Sequence, residues 1–115
     1  MPRHCLALDL KDNPDLIAQY EQWHRDIPAE IKKSILDSGV RVMQIFRTGN
    51  RLFMIMEVDD NFSFERKARM DADNPRVQEW ERLMESFQQF LPWAKPGEKW
   101  MTMDKIFDLN ADAEN

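Results

Sequence analysis

This chain of 115 residues is poor in the residue types that most often carry ready-made chemistry. Cys5 is its single cysteine, so no intrachain disulfide can form. With only two histidines, His4 and His24, beside it, no metal-ligand spacing emerges. A total of three glycines rules out a glycine-rich phosphate loop. No activated-serine motif occurs, and Cys5 sits in an alternating stretch without an obvious base. Sixteen basic residues face 21 acidic ones, for a net charge of −5, and no block of Lys and Arg breaks the pattern. Neither nucleic acid nor an anionic membrane is therefore expected as a partner. The longest apolar run is the pentapeptide "LFMIM" at 52–56, far short of a spanning helix. "MPRHCLALDLKDNPD" lacks the long apolar region of a signal peptide. With a lone cysteine, this sets the cytoplasm as the expected location.

What is present suits one globular domain over residues 1–115, at 43% hydrophobic and 32% charged residues. The polar "NADAEN" at 110–115 is expected to be a frayed tail. "RHCLALDL" at 3–10 alternates and predicts a strand. Asn13 and Pro14 then offer an N-cap and a first helical position. The helix they open should run to Gly39, which supplies a C-terminal stop. Two strands follow, about 40–47 and 51–58, around the turn Thr48-Gly49-Asn50. A short helical segment is expected at 62–70. A second long helix begins at Asp73 or Asn74 with Pro75 in its first turn, and Val77, Trp80, Met84, Phe87 and Leu91 form its stripe. A last strand is predicted over 99–109. The order β-α-β-β-α-β is the ferredoxin-like α+β arrangement, an antiparallel sheet with helices on one face. The strand at 51–58 is apolar on both faces, with Leu52, Met54, Met56 and Val58 on one and Phe53 and Ile55 on the other. Helices cover one face only, so a second copy of the chain is expected on the other, in a homodimer.

The first helix raises the functional question. At about 100° per residue, Ile17, Tyr20, His24, Ile27, Ile31 and Ile35 fall within roughly 80° of one another, the core-facing arc of a surface helix. Tyrosine and histidine in that arc need hydrogen-bond partners once buried. Pro28 has no N–H to offer the carbonyl of His24, so the helix must kink or restart nearby and a pocket can open there. The plainer alternative is a core histidine whose nitrogens bond locally. On the second helix Trp80 is mid-stripe and suits either core or a ligand platform, and Glu81 stands at the stripe's edge. Glu57 points to the same side as Phe53 and Ile55, where Arg41 on the neighbouring strand could pair with it. An acid–base pair or trio in a small pocket with an aromatic wall suits proton transfer on a small polar molecule such as a monosaccharide.

These residues also carry a resemblance. Tyr20 and His24 in "Y-x-x-x-H", Glu30, Leu52, Phe53 and Glu57 in "LF…E", Trp80 in "VQEWERLM" and the closing "KIFDL" resemble the L-rhamnose mutarotase family over about residues 3–109. The resemblance implies a dimeric α+β barrel that interconverts sugar anomers without a cofactor. It implies that His24 is the proton donor and that Tyr20 and Trp80 contact the sugar. It places Met43 where the family has a tyrosine, Glu81 where it has a second tryptophan, and Phe64 where it has a tryptophan. The changes at Met43 and Glu81 put rhamnose in doubt and favour L-fucose ahead of it, whereas Phe64 is a milder change. Rival expectations are a dimeric α+β barrel monooxygenase, cofactor-independent or with His24 on a haem iron, and a non-enzymatic dimeric binding module.

Overall fold

The computed structural model describes residues 1–110, so the predicted frayed tail lies outside the described residues except for Asn110. In chain order the elements are β1 (Arg3–Leu10), α1 (Pro14–Arg25), α2 (Ala29–Asp37), β2 (Val40–Thr48), β3 (Arg51–Val58), α3 (Phe64–Ala72), α4 (Pro75–Glu85), β4 (Gln88–Gln89) and β5 (Met101–Thr102). The strands form one antiparallel sheet in the order β2-β3-β1-β4, with β5 also on β1. This is the expected α+β, ferredoxin-like arrangement.

Local chemistry sets the helix boundaries. The Asn13 side-chain oxygen accepts from the amides of Asp15 and Leu16 at 3.0 and 3.2 Å, satisfying two of the free donors at the start of α1. Asn74 does the same for Arg76 and Val77 at the start of α4. Pro28 breaks the first helix completely. α1 stops at Arg25, Asp26 turns to extended backbone, and the carbonyl of Pro28 then accepts from Ile31 and Lys32 to open α2. At the other end of α2, Gly39 takes a φ of +99°, a conformation that a Cβ would strain.

The alternation of β3 sorts its two sides. Leu52, Met54, Met56 and Val58 are buried under the helices, while Phe53, Ile55 and Glu57 are only half-buried on the opposite face. Leu8, Leu10 and Leu52 are almost entirely out of water, each contributing roughly 1.5–3 kcal/mol of apolar burial. On the helix-free face Asp9 is buried beneath Arg51, whose guanidinium donates to both carboxylate oxygens at 2.7 and 3.1 Å and stacks on Trp93.

Besides the first helix, predicted to run on to Gly39 but ending at Arg25, two predicted elements are shorter than expected. α4 ends at Glu85, where the Ser86 hydroxyl bonds back to the Leu83 carbonyl. Phe87 and Leu91 are buried as their stripe positions require, but after the helix has ended, and the intervening Gln88 and Gln89 pair with β1 instead. The strand expected over 99–109 reduces to Met101 and Thr102, extended by one bond from the Met103 amide to the Cys5 carbonyl. Past Cys5 only His4 and Arg3 remain of β1 in that direction, so the edge is too short to pair residues 104–109, and an alternating pattern cannot supply its own neighbour. Ile106, Phe107 and Leu109 are 96%, 77% and 82% exposed.

Candidate active site

His24 occupies the last turn of α1. Its Nδ1 lies 2.8 Å from the carbonyl oxygen of Tyr20, one turn back. A carbonyl can only accept, so Nδ1 carries the hydrogen, and in the neutral ring Nε2 is the acceptor left for the pocket. The two rings lie against each other, with centroids 4.3 Å apart and planes inclined by 34°. Trp80, from α4, meets the His24 ring edge-on at 5.7 Å. Burial pushes the imidazole below its ordinary pKa, partly opposed by the Tyr20 carbonyl. Burial also pushes the Tyr20 phenol up to about 12, against a smaller lowering by its hydrogen bond with Gln88. Tyr20 therefore keeps its proton at neutral pH and can orient a substrate oxygen. His24 is the group that can change charge.

These residues border a cavity of about 350 Å³ over the sheet's covered face. Met43 on β2, Trp80 and Glu81 on α4, and Phe64 on α3 all line it, so the structure brings together the sequence-predicted catalytic candidate and each predicted sugar contact. Met43 reaches the cavity because it shares a face with Ile45 and Met56, opposite the solvent side of its strand. Phe64 packs edge-on against His4 at 4.9 Å.

The secondary candidates Arg41 and Glu57 do not meet. A bulge between Val40 and Val42 displaces Arg41, which donates to Asp59 at 2.6 and 2.9 Å and holds that carboxyl below its usual range. Glu57 lies on the helix-free face, opposite Arg3 and beside Val42. Arg41 borders a second hollow of about 380 Å³ between α2 and β2. Glu30 points to solvent and pairs with Arg76. Sequence reasoning missed Lys67, Asp71 and Trp100, which also line the main cavity. Their only signal was local: Lys67 and Asp71 sit four apart in a short helix whose inward face the apolar pattern does not mark. Among the described residues no group of His, Cys, Asp and Glu is placed to hold a metal ion.

Fold and pocket together define a small ferredoxin-like α+β protein whose cavity is lined by a histidine, a tyrosine and aromatic rings. Comparison with known proteins gives the family. The L-rhamnose mutarotase family model matches residues 3–109. An L-fucose mutarotase from Xanthomonas campestris pv. campestris is 46% identical over 112 residues, covering 96% of this chain and 90% of the relative. The chain belongs to the L-rhamnose mutarotase family. Among solved structures, an L-rhamnose mutarotase from Formosa agariphila shares the fold at a TM-score of 0.69 and 22% identity, over 95% of this chain and 99% of that one. Tetracenomycin F2 cyclase from Streptomyces glaucescens shares it too, at 0.61 and 17% identity, over 94% of this chain and 96% of that one. The fold by itself thus spans unlike chemistries.

Proposed function

We propose that this chain interconverts the α and β anomers of a 6-deoxy-L-hexopyranose, L-fucose ahead of L-rhamnose, with His24 as the proton-transfer group. The observation that carries the reading is the Nδ1–H bond from His24 to the Tyr20 carbonyl, which leaves Nε2 as the free ring acceptor of a residue that lines the main cavity. Nε2 accepts the anomeric hydroxyl proton as the ring C–O bond breaks and C1 becomes an aldehyde carbon. The imidazolium so formed delivers a proton to the former ring oxygen, which the resemblance assigns as its donor role. Rotation about C1–C2 and the reverse sequence give the other anomer. Tyr20 and Glu81 orient the oxygens, Trp80 and Phe64 offer faces to the apolar side of the sugar, and no cofactor enters.

L-fucose is favoured because Met43 and Glu81 replace a hydroxyl-bearing ring and an indole of the family pattern by a softer wall and a carboxylate. The 46% identical relative bears the name of that sugar's mutarotase. The same reading includes a homodimer, built on the uncovered sheet face where Phe46 is 52% exposed and Phe53 and Ile55 are half-buried. Its setting is the cytoplasm, where a lone Cys5 stays reduced.

Saturation transfer between the anomeric protons of a sugar panel, with and without protein, tests this. Accelerated exchange with L-fucose above that with L-rhamnose is expected. Faster exchange with L-rhamnose overturns the sugar assignment, and no acceleration with any sugar overturns the reaction.

A further inference from the structure

Two Lys–Asp pairs in this chain have the same local geometry and different surroundings. Lys33–Asp37 on α2 and Lys67–Asp71 on α3 are both i,i+4 pairs with Nζ 2.7 Å from the carboxylate. The first is a solvated pair, its side chains 76% and 51% exposed, whereas the second retains only 20% and 15%. That second pair lines the cavity that holds His24.

As a brace for α3 the sheltered, half-buried pair is poorly arranged. A carboxylate after the lysine is the weaker order on a helix, and Asp71 stands in the last turn, where the helix already carries partial negative charge. Drawing both ions partly out of water has a cost that one mutual contact only partly offsets. The pair therefore suits a partner from the cavity better than it suits the helix.

We propose that Lys67 and Asp71 bind a vicinal diol of the sugar, on ring carbons away from the anomeric centre. This rests on the mutarotase reading and goes beyond it by naming the groups that read the hydroxyls. Nζ keeps two further N–H donors, and the carboxylate keeps free lone pairs on both oxygens. Nζ donates to one hydroxyl oxygen while the adjacent hydroxyl donates to the carboxylate, closing a ring of charge-assisted bonds. The 2.7 Å between donor and acceptor is close to the separation of two gauche hydroxyl oxygens on a pyranose. Placement fits as well. Phe64, one turn before Lys67, packs on His4 at the start of β1, whereas Tyr20 packs with Leu10 at its end. The diol-binding pair and the proton-transfer histidine thus approach one ligand from opposite ends.

The test combines substrate and protein variants, read by saturation transfer over a range of sugar concentrations. With wild-type protein, L-fucose analogues lacking the C3 or the C4 hydroxyl should raise KM about 10-fold or more, with kcat within a few-fold. K67M and D71N should raise KM for L-fucose similarly and should no longer distinguish the deoxy analogue from the parent. K33M, which breaks the solvated pair, should leave both constants unchanged. Equal KM for L-fucose and both deoxy analogues overturns the proposal without any variant. So do K67M and D71N proteins that melt lower but keep wild-type KM, because the pair is then a helix brace. Wild-type exchange with no sugar at all would instead overturn the mutarotase reading on which the proposal stands.

Discussion

His24 donates its Nδ1 hydrogen to the main-chain carbonyl of Tyr20 at 2.8 Å, so the same residue fixes the ring's tautomer through its backbone and stacks on it with its side chain. His24→Asn keeps an amide at similar depth but cannot exchange a proton near neutral pH. It should lower the catalysed exchange about 10²-fold or more. The lost ring volume should cost about 1–2 kcal/mol and leave the protein folded. Saturation transfer and calorimetry on the same sample check both. A variant that melts near wild type and exchanges anomers at the wild-type rate returns His24 to a structural role.

The pH dependence follows from the lowered imidazole pKa. Nε2 must be unprotonated to take the first proton, so catalysed exchange should fall on the acid side with a midpoint below 6.5. Stability moves with it. Between the lowered folded value and the ordinary unfolded one, the unfolded chain binds more protons. The contribution is therefore present above pH 6.5 and lost as pH falls through that window. Rates corrected for spontaneous mutarotation, from about pH 5 to about pH 8, locate the limb. A midpoint at or above 6.5, or the same limb in His24→Asn, contradicts this assignment.

Sugar preference should follow the two departures from the family pattern. Restoring them in M43Y/E81W should move the ratio of L-fucose to L-rhamnose exchange toward L-rhamnose by about 10-fold, the scale of one reshaped contact region. Competition experiments with both sugars in one tube read the ratio directly. An unchanged ratio would place the discrimination elsewhere in the cavity.

The proposed homodimer is checked by light scattering at micromolar concentration, with a dimer expected. Phe53→Asp puts a charge in the middle of the uncovered face and should give a monomer. Wild-type protein that runs as a monomer and binds no apolar dye contradicts the dimer.

Much of this was legible in the residues. Asn13–Pro14 and Asn74–Pro75 announced two helix starts, and Pro28 announced a kink or restart near His24, where the chain in fact breaks into two helices. The inward arc of Tyr20 and His24 was readable because helical spacing is local. The short β5 was not, since a strand needs a neighbour and, among the described residues, 104–109 pair with no strand to match their alternating pattern. Arg41 and Glu57 were mispaired for a related reason. One bulge between Val40 and Val42 re-aims the arginine toward Asp59, and no composition cue marks a bulge. Lys67 and Asp71 escaped because an i,i+4 ion pair looks the same in sequence whether it faces water or a cavity.

The acceptor that orients His24 has a consequence for how such a protein can diversify. It is a peptide carbonyl, so exchanging the side chain at position 20 does not delete it, provided α1 still forms. The positions that shape the remaining wall, Met43, Phe64 and Glu81, come from three separate elements. Each can drift without disturbing the others or the histidine's tautomer. On the proposed reading, a lineage could therefore change its sugar by single steps while keeping the histidine's tautomer.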